Sequence, residues 1–279
     1  MLCAQCRQSA VTPGGTLCQN CAGARAQPVQ SSQPVQPVQP VQPVQFVQPG
    51  AYGGTPLDAP HGPAWLRSPV GLGKAAAVAV AVASATDLLG IWSAWLTYDI
   101  ADRLAGDGIG AVPMTEIDRA DMILTVAGVV QTAAFVVAIA LFLAWFQRAR
   151  VNAEVFDPFG HRMKRAWTCW SWFVPVVNLW FPRRIMADVW EASAPVGRAS
   201  HALVNGWWTC WILALIADRV GSTTYRRAET PEEIRDAVGQ AMFADAAHLG
   251  AGVLAVLVIL RLTRMQDEKA RGGALAVAV

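Results

Sequence analysis

Four cysteines open the chain in two pairs, Cys3-x2-Cys6 and Cys18-x2-Cys21, with Pro13-Gly14-Gly15 as a turn between them. Two such knuckles joined by a hairpin bring four thiolates toward a tetrahedron, the geometry a structural Zn²⁺ prefers. A segment of about 25 residues buries too little apolar surface to fold unaided, so a metal or disulfides must hold it. The charge distribution described below puts this end in the reducing cytoplasm, which favours zinc. A redox Cys-x2-Cys is the rival reading, but no βαβ pattern stands nearby. Arg7 and Arg25 are the basic residues of the module, too few to point to nucleic acid.

A second candidate lies within an apolar stretch, where Asp87 follows Ser84-Ala85-Thr86. Ionisable groups inside a span are costly and are functional candidates by default, here for a proton or an ion. The structural alternative puts Asp87 near the outer interface, capped by Ser84 or by a partner such as Gln131. His61, His161, His201 and His248 are dispersed and read as loop or interface residues. Gly71-Leu72-Gly73-Lys74 lacks the earlier glycine and the following Ser/Thr of a phosphate loop. With no hydrolase histidine pair, nucleophile elbow or dinucleotide fingerprint, the chain is expected not to be an enzyme.

The most distinctive stretch runs from Trp145 to Trp190. It holds Arg148-Ala149-Arg150-Val151-Asn152-Ala153, then Trp172-Phe173-Val174-Pro175-Val176-Val177-Asn178-Leu179-Trp180-Phe181-Pro182. Pro175 removes a backbone donor and kinks a helix, and Asn178, three residues on, is placed to satisfy the freed carbonyl. Trp167, Trp170, Trp172 and Trp180 suit a headgroup layer. Ile185, Met186, Val189 and Trp190 share a helical face opposite Arg184, Asp188 and Glu191, as in an interfacial helix. Arg148, Arg150, Arg162, Lys164 and Arg165 are expected to meet anionic headgroups, at ~1 kcal/mol each. Anchoring and packing account for the stretch; an amphipathic ligand such as a lipid or quinone held under the kink is the alternative.

This arrangement resembles the domain-of-unknown-function 4328 family of bacterial integral membrane proteins. Members carry Arg-x-x-x-Asn-Ala after a membrane helix and a Trp-Phe-x-Pro-x-x-Asn-Leu-Trp-x-Pro core, which correspond here to Arg148, Asn152, Trp172, Pro175, Asn178, Trp180 and Pro182. The resemblance covers roughly 75–265; it implies a membrane architecture and leaves the activity open. The cysteine module resembles the short zinc ribbons at the N-termini of many bacterial membrane proteins, with Arg7 and Leu17 departing from the usual pattern at positions that affect packing more than metal binding.

The elements that must position these residues follow from composition. Of 279 residues, 54% are hydrophobic, 15% are charged and 12 are tryptophan, with a mean hydropathy of +0.33. A soluble domain carries about a quarter charged residues, so an ordinary soluble enzyme is disfavoured. The start of the chain shows no signal peptide. A Gln-Pro-Val repeat marks residues 27–49, and polyproline II over 27–63 would reach roughly 110 Å. It reads as a semi-rigid spacer, with docking of a proline-recognising domain the lesser alternative.

From Lys74 onward apolar stretches alternate with short charged loops. Ala75–Leu96, Met122–Phe146 and Ala246–Leu262 read as spans, as does Leu203–Ala217 with help from Ala199–Ala202. Thr230-Pro231-Glu232-Glu233 is a helix-start signature leading into the last of them. Ala166–Phe181 is apolar but carries Pro175 and Asn178. If it does not cross, 16 Lys+Arg lie inside against 6 outside; if it crosses, the counts are 13 and 9. The positive-inside rule therefore selects the first arrangement.

The expected fold is an all-α membrane protein: a zinc ribbon (1–26), a disordered linker (27–66), a four-span body (67–265) with a re-entrant or interfacial Trp/Pro-rich segment, and a cytoplasmic tail (266–279). The expected location is the cell membrane, with both termini cytoplasmic. The leading functional reading is a membrane-anchored interaction or regulatory protein whose ribbon meets a cytoplasmic protein. The alternative is a small-solute or lipid carrier using Asp87 and the Pro175-broken segment.

Overall fold

The computed structural model of the chain describes residues 4, 10, 11, 14–16, 52, 53, 56–108, 110–195 and 200–277, with side chains up to Gly272. The chain divides into two compact units, Met1–Phe46 and Val47–Val279. In the first, the Ala4 amide donates to the Thr16 carbonyl at 3.0 Å. Cys3, Cys6, Cys18 and Cys21 lie outside the described residues.

The second unit starts with a hairpin of β1 (Leu57–Ala59) and β2 (Gly62–Ala64), antiparallel with Leu57 opposite Ala64. It continues through α1 (Val70–Asp107), α2 (Met114–Phe156), α3 (Trp167–Trp170), a 3₁₀ turn at Val177–Leu179, α4 (Phe181–Ser193), α5 (Ala202–Tyr225) and α6 (Pro231–Val277). The linker expected over 27–66 therefore gives way to structure by Leu57. Ala64 and Leu66 are buried with Val155 and Ala270, because this short apolar run has a surface to pack on.

Local chemistry sets the helix limits. Gly108, at φ 90°, ends α1 with its amide donating to the Leu104 carbonyl, a backbone angle that favours glycine. Pro113 precedes α2. At the start of α6, Thr230 Oγ1 accepts from the Glu233 amide, and the Glu233 carboxylate accepts from the amides of Glu229 and Thr230. This is the reciprocal cap expected from the sequence.

Three helices, α1, α2 and α6, are long and apolar enough to cross a membrane. Their outward faces carry exposed apolar side chains, among them Val78, Val82 and Leu88 of α1, Val126, Val129 and Val136 of α2, and Val253, Leu257 and Leu260 of α6. A soluble monomer rarely exposes so much apolar surface, and the three helices make this a multi-pass membrane protein. α5 has 24 residues and extends the expected Leu203–Ala217 stretch at its C-terminal end, to Tyr225, rather than at its start.

α1 and α6 run antiparallel along a seam of small residues. A Cβ on Gly73 would stand 2.4 Å from Thr263 Oγ1, on Gly252 1.8 Å from Ser84 Oγ, and on Gly90 2.7 Å from an Asp245 carboxylate oxygen. Such contacts let backbones approach where lipid offers no hydrophobic drive between helices. α6 does not stop at the boundary expected near 265. It continues to Val277, with Gln266 and Ala270 buried in the body.

The segment 166–181 contains no helix able to cross. It forms the four-residue α3, turns, and the 3₁₀ turn, so Pro175 ends helical structure rather than kinking a longer helix. Val176 sits at φ 66°, ψ −50°, and the Val177 amide donates to the Pro175 carbonyl at 2.7 Å. This tight three-residue turn is unusual for a β-branched residue.

Candidate functional site

A cavity of about 330 Å³ lies among α1, α2, α5 and α6. Phe135, Ile139 and Phe142 of α2 wall it on one side, Trp207, Trp211 and Leu215 of α5 on another, and small residues of α1 and α6 (Ala83, Ala251, Gly252, Ala255) complete it. Trp172, Phe173 and Asn178 of the broken segment cover one end. The Trp172 ring meets Phe142 edge-to-face at 5.4 Å and Trp211 at 5.5 Å. Trp172 is therefore a cavity wall rather than a headgroup anchor, because α2 and α5 offer it aromatic neighbours. Trp170 remains 64% exposed and Trp180 40%, as an interfacial position would have them.

At the other end stand Asp87, Gln131 and His248. Gln131 Nε2 donates to Asp87 Oδ1 at 2.8 Å and to Asp245 Oδ1 at 3.1 Å. Antiparallel packing brings this about: α1 lies between α2 and α6, so residues far apart in sequence meet at one level. Asp87 and Gln131 are thus brought together. Asp245 has no place in the sequence analysis, and His248 stands there as a loop or interface residue. Their signal was an Asp-x2-His spacing, one face of a helix, at the entry to the apolar stretch Ala246–Leu262. His248 is a cavity residue rather than a loop histidine.

Beyond the cavity's covered end, α2 continues into a buried polar network. Asn152 Oδ1 accepts from the Arg67 amide at 2.9 Å, and its Nδ2 donates to the Arg67 carbonyl at 2.8 Å and to Gln266 Oε1 at 3.2 Å. Gln266 Nε2 in turn donates to the Ala149 carbonyl at 2.8 Å and to Ser193 Oγ at 3.0 Å. Arg148 donates to the Ser68 carbonyl at 3.3 Å. The Arg-x-x-x-Asn motif so clamps the extended segment entering α1.

Arg150 is 1% exposed, pairs with Glu154 at 2.6 Å and donates to the Met163 carbonyl at 2.9 Å. Arg165 also pairs with Glu154 and donates to the carbonyls of Gly62 and Pro63. Neither arginine is placed to meet lipid headgroups, since one buried carboxylate binds both. Burial holds the Arg150 guanidinium below its ordinary pKa. Burial and then the Arg150 charge push the His161 imidazole down. Asp188 is buried and pairs with Arg162 at 2.9 Å, so the polar face of α4 is packed at that position, while Arg184 and Glu191 stay exposed as expected of an interfacial helix.

Pro182 is buried in the first turn of α4. Asn178 differs from expectation. Among the described residues its side-chain amide bonds no carbonyl freed by Pro175, and it lines the cavity instead. Its backbone amide donates to the Val174 carbonyl at 3.1 Å, and the turn at Val176 satisfies the Pro175 carbonyl locally.

No curated protein and no solved structure matches this chain. The family model described as domain of unknown function DUF4328 matches residues 110–264, beginning after α1. The match takes in Arg148, Asn152, the Trp172–Pro182 core, Gln131, Asp245 and His248, and leaves Asp87 outside its span. The chain, matched over more than half its length, belongs to the DUF4328 family.

Proposed function

We propose that the protein is a cell-membrane protein with four spans, α1, α2, α5 and α6, and both termini cytoplasmic, whose body binds a small amphipathic ligand rather than catalysing a reaction on it. The observation that carries this reading is the cavity of about 330 Å³, aromatic along its walls, polar at one end and covered by the Trp172–Asn178 segment at the other. Small-molecule sites have this character, mostly apolar with a few placed polar groups. The length of α5 supports the fourth span: 24 residues rise ~36 Å, against a hydrocarbon core of ~30 Å. The distribution of 16 Lys+Arg on the side of both termini against 6 on the other supports the orientation. A cover made of turns is easier to displace than a continuous helix, which favours a carrier of small solutes or lipids.

Native mass spectrometry of the full chain in mild detergent tests this reading. A small molecule or lipid retained by the wild type and lost from Ala255→Phe, which fills the cavity, supports it. Equal retention by both, or none by either, contradicts it.

The second reading is a membrane-anchored interaction or regulatory protein, supported by the spacing of Cys3, Cys6, Cys18 and Cys21. In this reading they hold one structural Zn²⁺ and the ribbon meets a cytoplasmic protein, with no nucleic acid involved. The two readings are compatible, since a ligand-binding body can govern a tethered module. Metal analysis of the purified chain tests the zinc: one Zn²⁺ per chain supports it, and none contradicts it.

A further inference from the structure

We infer that the ligand of the cavity is an amphipathic organic cation, an amine or quaternary ammonium with an apolar body, its positive charge seated at Asp87. This rests on the cavity being the binding site. Asp87 is 7% exposed and lines the cavity. Gln131 donates to one carboxylate oxygen at 2.8 Å, and among the described residues no donor meets the other. A neutral ligand that displaces solvent leaves that oxygen of a largely buried side chain unpaired, which is unfavourable. An anion adds like charge beside two carboxylates, Asp87 and Asp245, that share one amide. A cation answers both.

The walls decide what kind of cation. A metal ion asks for several oxygen or nitrogen ligands, and among the described residues no three of His, Cys, Asp and Glu group to hold one. The cavity offers aromatic rings instead: Phe135 stands one helical turn from Gln131 at the polar end, and Phe142, Trp172, Trp207 and Trp211 line the rest. A ring near the seat of the charge favours a weakly hydrated organic cation over a metal ion, and the rings further along bury its apolar body. His248 is the other titratable side chain lining the cavity.

A second carboxylate stands directly beyond the first. Asp245 lines another cavity, of about 300 Å³, with Asp218, Ser222 and Arg226. The two cavities follow one another along α6, which contributes Val238–Asp245 to one and His248–Ala255 to the other. Together they span ~26 Å of helix, close to the thickness of a bilayer core. Gln131 joins Asp87, which lines the first cavity, to Asp245, which lines the second.

The probe pair is benzyltrimethylammonium and benzenesulfonate, of similar size and opposite charge, titrated calorimetrically into the full chain in mild detergent. The expected result is saturable binding of the cation and none of the anion. Asp87→Asn weakens the cation at least tenfold, while Asp87→Glu, which keeps the charge, restores most of the affinity. No binding of the cation, equal binding of both probes, or unchanged affinity in Asp87→Asn overturns the inference. If the cation fails while the retained molecule still depends on an unfilled cavity, the cation class falls and the binding site stands. The wild-type contrast keeps the proposal open to refutation even where a variant fails to fold.

Discussion

Asn152 treats Arg67 as a neighbouring strand would. It accepts from the Arg67 amide at 2.9 Å and donates to the Arg67 carbonyl at 2.8 Å, with no exposure of its own. One side chain so satisfies both backbone groups of the residue three before α1 and ties α1 to the end of α2. The same amide reaches Gln266 of α6, so three long helices meet at one residue. Asn152→Asp keeps the acceptor but loses both donations and buries a charge. The variant should lose about 2–3 kcal/mol, read as a lower Tm in detergent. An unchanged Tm would show that the clamp contributes nothing.

The α1–α6 seam depends on Gly252. A Cβ there would lie 1.8 Å from Ser84 Oγ and 2.9 Å from Ser84 Cβ, so turning the hydroxyl away does not relieve the clash. Gly252→Ala should cost about 1–3 kcal/mol by forcing the helices apart. Adding Ser84→Gly to the same chain should recover most of the loss. Equal Tm values for the single and double variants would contradict the register.

His161 gives the fold a dependence on pH. It is 7% exposed, and burial followed by the Arg150 charge holds its pKa below the ordinary 6.5. As pH falls through that ordinary value the unfolded chain takes up a proton and the folded protein does not. Stability is therefore full above about 6.5 and declines below it, by up to ~1.4 kcal/mol per pH unit. Tm measured from about pH 7 to about pH 5 should fall less steeply for His161→Gln than for the wild type. Parallel curves would exclude His161 as the source.

Much of this was legible in the sequence, and for physical reasons. Apolar runs of span length and the Thr230–Glu233 cap each act locally, so the residues announce the element. The Asp87–Gln131 pairing was legible only as one option among several, because it depends on how two helices are rotated. Asp245 escaped notice since it sits at the polar edge of its apolar run, where a carboxylate looks ordinary. Arg150 and Arg165 escape a reading of the sequence because an arginine-rich loop beside a span resembles a headgroup contact. Glu154 binds both, and the carbonyls of Gly62 and Pro63 in the distant hairpin hold Arg165 as well. Trp172 was misplaced for a similar reason: its partners lie on α2 and α5. Asn178 was assigned to Pro175 through spacing along a helix that ends at that point.

Whether α5 crosses is the question on which the account turns, since Trp207, Trp211 and Leu215 close the cavity only as part of a four-helix bundle. Single cysteines at Glu191 and Glu229, both exposed and on either side of α5, decide it in a background without other cysteines. The measurement is labelling of intact cells by a membrane-impermeant maleimide. The account predicts that Glu229→Cys is labelled from outside and Glu191→Cys only after the membrane is opened. Labelling of both positions from the same side would contradict it.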